Sequence, residues 1–243
     1  MAPSKKKTFR EIFMTIPLPF SKWLYACARN SVFRDPHRRY FDMAFQKVRS
    51  VQIDGDYLEF GVYQGNTFIL AASLAEKYGM KKMRYFAFDS FEGLPEAEGK
   101  KFNKGDYCCS EESFTRMIRK AGVFLHKVVK VKGWYSESLT NDTKKKYQLV
   151  RAAVIHVDCD LYSSAKAVLA FIEDLVYPGT ILIFDDWYAF CNAENMENFG
   201  EQKAFSEWTL KPAFEDFYDF STTKAFIMTK ASTPVHSSSR TLA

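Results

Sequence analysis

The sequence predicts an α/β fold of the Rossmann-like kind: a doubly wound, mostly parallel sheet of seven strands that ends in a C-terminal antiparallel hairpin, preceded by a helical segment. Three observations predict it. Short apolar runs end on Gly or Asp, stretches of helical period separate them, and two strand-like runs near the C-terminus are joined only by a turn. Parallel neighbours need a long crossover, so alternation of short apolar runs with helix-length segments reads as a parallel sheet covered on both faces; a tight turn instead imposes antiparallel pairing.

The elements follow in order. Between 20 and 49, the spacing of Trp23, Leu24, Cys27, Phe41, Ala44, Phe45 and Val48 predicts one or two amphipathic helices split near RDPHRR. GDYLEFGV is the first strand, ending at Gly61 and Gly65, and NTFILAASLAEKYG is a helix that stops at Gly79. MRYFAFDSF is the second strand, ending in Asp89. A Gly/Pro/Glu-rich loop follows, then a helix over 110–121 and a third strand in HKVVKVKGWYS. A helix over 141–148 leads to AAVIHVDCD, a helix over 163–175 follows, and PGTILIFDDW supplies the fifth strand. FEDFYDFSTT and KAFIMTK make the hairpin. The resulting organisation is a helical cover over 1–50, the main domain over 51–230 and a Ser/Thr-rich tail over 231–243, with the tail and residues 1–8 loosely held.

Bulk properties exclude several classes. A chain of 243 residues, 47% apolar and 16% aromatic, can bury one substantial core. The net charge of +5 depends largely on the KKK runs at 5–7 and 144–146, which read as solvated surface, so no nucleic-acid-binding face is expected. Five cysteines without a CxxC pair fit a reduced compartment. No apolar run approaches the roughly 18 residues of a membrane span. Lys5–Lys7 before IFMTIPLPF imitates a secretory leader, but Arg10, Glu11, Pro17, Pro19 and Lys22 interrupt it; a cytoplasmic protein without membrane attachment is expected.

In a doubly wound sheet the ligand lies beyond the carboxyl ends of the strands, so what each strand ends in is diagnostic. The first ends in Glu59-Phe-Gly61-Val-Tyr63-Gln-Gly65, a turn whose glycines permit close backbone approach, with Glu59 offering a carboxylate beside it. Asp89 follows thirty positions later, about one strand–helix–strand unit, where an acid can accept both hydroxyls of a ribose. Neither GxGxxG nor GK[ST] is present, which disfavours a pyrophosphate cradle and favours a nucleoside without phosphates, S-adenosylmethionine being the common one. Strand alternation points Asp158 and Asp160 the same way, and Asp185 and Asp186 end the fifth strand. Four carboxylates at one rim repel one another unless a cation sits among them, and oxygen-only donors select magnesium first, with manganese or calcium as alternatives. Such an ion lowers the pKa of a substrate hydroxyl, and Asp160 is the candidate base that removes its proton.

YLEFGVYQGNT, FDSFEGLPE, GWYSESL, HVDCDLYSS and PGTILIFDDW together resemble the TylF/MycF (macrocin) O-methyltransferases over roughly 55–190. The resemblance implies a class I methyltransferase fold, S-adenosylmethionine, magnesium and, as acceptor, a sugar hydroxyl of a small glycosylated molecule. Carried over by motif, Asp158, Asp185 and Asp186 are metal ligands and Asp160, with Asp158, is catalytic. Glu59, Gly61, Asp89 and Ser90 fall on the cofactor side with Tyr63, Gly65, Phe91 and Asp158 from the same motifs, and Ser136 approaches the adenine. The family also implies self-association into a homo-oligomer.

Other residues receive blander readings. His156 and Cys159 are read as core, and His37 as a surface-loop residue. Tyr162 and Lys166 follow the metal motif within reach of the site, and Trp187 and Tyr188 form either core or an aromatic wall for a sugar. The loop over 97–107 is a candidate lid. Two competing functions remain: a metal-dependent DxD glycosyltransferase using a sugar nucleotide, and a non-catalytic binding protein that retains the fold. The unexplained second acid pair weighs against the first, and retention of a repulsive cluster against the other.

Overall fold

Strand β1 (Asp56–Phe60) lies in the middle of the sheet and is buried along its whole length, as its position between two parallel neighbours requires. The computed structural model describes residues 37–190 and 198–230; the expectations for 1–36 and 231–243 lie outside them. Strands β2 (Tyr85–Asp89), β3 (Val128–Lys132), β4 (Ala152–Val157) and β5 (Ile181–Phe184) run parallel to β1. Strands β6 (Phe214–Phe220) and β7 (Thr223–Met228) form the hairpin, and β7 pairs antiparallel with β5. Among the described residues the sheet has seven strands in the order β3-β2-β1-β4-β5-β7-β6. The order reverses between β1 and β4, which is where a ligand crevice opens in such sheets.

The period-two alternation sorts the core into two layers. Leu58, Phe60, Ile155, Val157, Leu182 and Phe184 face α6 (Tyr162–Ile172) and α7 (Gly200–Glu207). Tyr57, Val154, Ile181 and Ile183 face the other way, against α1 (His37–Ser50), α2 (Asn66–Lys77) and α3 (Glu111–Lys120). Residues Tyr40, Phe41, Ala44, Phe45 and Val48 of α1 are buried in this second layer, so the apolar face expected there is real. Phe41 has no exposed surface and touches the rings of Tyr57 and His156; truncation to Ala would cost about 3–5 kcal/mol.

Local signals account for the helix ends. The Ser110 hydroxyl accepts from Ser113 N at 3.2 Å and starts α3, with Glu111 and Glu112 in the first turn. The 3.2 Å bond from Thr143 N to Thr140 Oγ1 starts α5 (Asn141–Tyr147), which follows the single turn α4 (Tyr135–Ser138). No helix among the described residues is long and apolar enough to cross a membrane.

Candidate active site

The carboxyl ends of β1, β2, β4 and β5 open on one cavity of about 550 Å³, within the range of a small-molecule site. Gly61 brings the first two loops together. Its φ is +86°, and a Cβ there would lie 1.8 Å from the carbonyl oxygen of Asp158, so only glycine lets the turn after β1 rest on the turn after β4. Asp89, at the tip of β2, joins the next pair. Its Oδ2 accepts from Val62 N at 2.8 Å and Tyr63 N at 3.4 Å, and its Oδ1 accepts from Phe91 N at 2.6 Å. Burial raises the Asp89 pKa, and these three amide bonds hold it back.

Strand β4 ends at Val157, so Asp158 and Asp160 both lie beyond it and the alternation argument does not explain their pairing. They share the cavity because Asp160 adopts a left-handed φ of +62°. Asp158, Asp185 and Asp186 each offer one oxygen within 4.8 Å of the others, a hard-oxygen set suited to a divalent cation. Burial drives the Asp158 carboxyl well above its ordinary value, and Asp185, Asp186 and Asp160 add repulsion in the same direction. Asp160 is pushed up to about 9, first by burial, then by its hydrogen bond to Asp186 and that residue's charge, with Lys101 opposing. A cluster that so resists ionisation fits a bound cation, which offsets the repulsion.

Neighbours absent from the sequence-based reading hold the acids. Tyr40 donates to Asp185 Oδ1 at 2.9 Å, and Thr223 Oγ1 lies 3.3 Å from the same oxygen. Glu201, in the first turn of α7 and 1% exposed, accepts from Cys159 N at 3.4 Å and Asp186 N at 3.1 Å, tying the β4 loop to the β5 loop. Lys101 reaches in from the 97–107 segment and pairs with Asp186 at 3.1 Å. That segment is anchored: Glu98 accepts from the backbone nitrogens of Tyr162 at 2.7 Å and Gly200 at 2.8 Å, and Phe102 is buried with Leu94, Leu161 and Phe190. Tyr107 follows on the cavity wall, its ring edge-on to Tyr63 at 5.8 Å. The hydrogen bonds among these contacts span 15 to 145 positions, and no local pattern announces them.

Of the residues singled out in the sequence, the cavity is lined by Gly61, Tyr63, Asp89, Ser90, Ser136, Asp158, Asp160, Asp185 and Asp186. Glu59, Gly65 and Phe91 are not on it. The Glu59 side chain is fully buried on the α1/α2 face, where Tyr57 OH donates to Oε2 and Thr67 Oγ1 donates to Oε1 at 2.6 Å; alternation turns it under the sheet instead of into the crevice. Gly65, φ +78°, starts α2 against Phe114, and Phe91 packs on the same ring at 5.8 Å. Tyr162 and Lys166 turn to Glu207, away from the cavity. Trp187 is core, packed on Phe184, Phe205 and Phe226, and Tyr188 donates to Asp219 at 2.7 Å. Cys159 is buried but borders the cavity, and His156 has no exposed surface.

Residues 37–209 match the family described as Macrocin-O-methyltransferase (TylF). The 8-demethyl-8-(2,3-dimethoxy-alpha-L-rhamnosyl)-tetracenomycin-C 4'-O-methyltransferase of Streptomyces olivaceus is 26% identical over 145 residues, 56% of this chain and 54% of that protein. The mycinamicin III 3''-O-methyltransferase of Micromonospora griseorubida is 26% identical over 147 residues, 56% of each chain. The chain thus spans about half the length of the curated relatives it matches. Among solved structures, the O-methyltransferase NovP superposes with a TM-score of 0.65 at 22% identity over 79% of both chains. The calicheamicin methyltransferase CalS11 gives 0.67 at 20% identity over 90% of this chain and 89% of that one. At these identities the structural likeness speaks to the fold.

Proposed function

The chain belongs to the macrocin-O-methyltransferase (TylF) family, and from that premise we propose that it methylates a sugar hydroxyl of a small glycosylated molecule, using S-adenosylmethionine and a magnesium ion. One observation carries this reading: the three-acid cluster opens on the same cavity as Gly61 and Asp89, so a cation site and a nucleoside site share one space. The curated relatives named above act on sugar hydroxyls of natural products, which supports the acceptor class.

The residues fit both groups. Asp158, Asp185 and Asp186 would hold the cation, and manganese is the nearest substitute for so compact an oxygen set. Gly61, Tyr63, Asp89, Ser90 and Ser136 would hold the nucleoside, Asp89 through the lone pairs that its three amide partners leave over. When bound, the cofactor supplies an electrophilic methyl group and the cation a Lewis acid for the acceptor oxygen. Asp160 then takes the hydroxyl proton. Burial and Asp186 raise its carboxyl to about 9, so it holds its own proton while Asp186 is uncompensated; a cation on Asp186 would relieve that repulsion and leave Asp160 ionised, able to accept a proton. Tyr107, edge-on to Tyr63 and half exposed, offers an aromatic surface on the cavity wall for an acceptor sugar.

Calorimetric titration of S-adenosylmethionine and S-adenosylhomocysteine, with and without magnesium, tests the reading. Micromolar binding supports it. Absence of binding under both conditions removes it and makes sugar nucleotides the next ligands to try.

A further inference from the structure

We infer that Glu59 and His156 form a buried positioning chain that fixes Asp185 from behind, linking the end of β1 to the cation site through the middle of the sheet. The inference rests on the cation reading above and assigns roles to two residues that do not line the cavity and have no exposed surface.

The sheet itself sets up the alignment. Glu59 on β1 is in register with His156 on β4, and His156 with Ile183 on β5. All three side chains are on the α1/α2 face, and Asp185 is the next residue in that alternating series. Glu59 and His156 are both 0% exposed, a costly place for a carboxylate and an imidazole without partners. Glu59 meets the requirement with Tyr57 and Thr67. His156 does not. Its Nδ1 lies 4.0 Å from Glu59 Oε1 and its Nε2 lies 3.6 Å from Asp185 Oδ1, and among the described residues neither nitrogen has a hydrogen-bond partner.

A core histidine kept for packing would turn its nitrogens to backbone carbonyls. This one turns each nitrogen to a carboxylate, with its ring set edge-on against Phe41 at 5.0 Å. The geometry also separates it from a base, because the cavity lining stops at Asp185 and does not reach the ring. Tyr40 and Thr223 approach the same Oδ1 that faces His156. Among the described residues, three side chains thus converge on Asp185 Oδ1 and restrain its position. Groups of this kind behind a metal ligand are worth about 10–100-fold in metal affinity.

The test uses the full chain in three variants: His156→Phe, which keeps a ring against Phe41; Glu59→Gln, which keeps the shape; and the two combined. Magnesium affinity is measured by calorimetry with S-adenosylhomocysteine present, cofactor affinity separately in chelator, and folding by circular dichroism. The expected result is a loss of magnesium affinity of about tenfold or more in His156→Phe and a smaller loss in Glu59→Gln. Cofactor affinity should stay within about twofold, and the combined variant should be no weaker than His156→Phe alone, since one break interrupts the chain. Unchanged magnesium affinity in a folded variant overturns the inference, as does full additivity. So does a loss of cofactor affinity in Glu59→Gln, which would put Glu59 at the cofactor end. If His156→Phe does not fold, Glu59→Gln decides alone. A wild-type chain that takes up no magnesium overturns the cation reading itself, and the chain with it; wild-type uptake with unaffected variants overturns the chain only.

Discussion

Replacement of Gly61 by alanine separates two costs that glycine avoids. The first is conformational: at φ +86° an L-residue is strained by about 1–2 kcal/mol. The second is steric. The new Cβ would lie 1.8 Å from Asp158 O, where a carbon–oxygen contact needs about 3.3 Å, so the two loops must part by about 1.5 Å. Backbone lies on both sides of the contact, and neither side can give by rotating a side chain. Gly79→Ala is the internal control, because φ is +70° there and nothing lies within 4 Å of the added carbon. It should lower the midpoint of thermal unfolding by about 2–4 °C. Gly61→Ala should lower it by about 5–15 °C, the equivalent of roughly 2–4 kcal/mol. It should also weaken magnesium binding, because the displaced backbone carries Asp158. Thermal melts and calorimetry of both variants decide the matter. Equal melting losses in the two would refute the close approach of the β1 and β4 turns as the reason for glycine.

Three further outcomes are expected. Asp158→Asn should abolish turnover and reduce magnesium affinity by on the order of a hundredfold, with S-adenosylhomocysteine binding retained, as read by calorimetry; loss of cofactor binding with intact metal affinity would refute this division of roles. In chelator, thermal stability should rise as pH falls from 9 toward 6, because folded-state values of about 9 for Asp160, and a raised value for Asp158, exceed the roughly 3.9 of the unfolded chain. The folded state binds more protons in that window, so stability declines with increasing pH, and saturating magnesium should flatten the slope in melts followed by circular dichroism. Lys101→Ala should raise magnesium affinity by about two- to fivefold, a small effect in keeping with a 43% exposed ammonium that competes for Asp186; an unchanged constant would show that the pair does not form in solution.

The strand endings made much of this legible. Gly61, Asp89, Asp158, Asp185 and Asp186 follow apolar runs, and the doubly wound topology carries all of them to one rim without any knowledge of packing. Alternation, applied where it did not hold, misplaced the reasoning for Asp158 and Asp160, which lie past the end of β4. The same rule applied within β1 would have put Glu59 beside Tyr57 on the helix-covered face, out of the crevice. Glu201, Tyr40 and Lys101 could not be found this way. Each reaches the site from a helix or loop remote in sequence, and its part depends on the direction in which one side chain emerges from a packed surface.

The two layers of the core carry unequal duties. Against α6 and α7 the strands present Leu58, Phe60, Ile155, Val157, Leu182 and Phe184, a surface with no polar side chain among them. The opposite face threads Glu59, His156 and Asp185 between aromatic rings. Evolutionary drift should therefore be lopsided. Aliphatic exchanges beneath α6 and α7 need only conserve volume, whereas equally conservative exchanges beneath α1 and α2 disturb polar contacts that end at Asp185. A library of substitutions scored for both abundance and turnover would separate into two halves along the plane of the sheet.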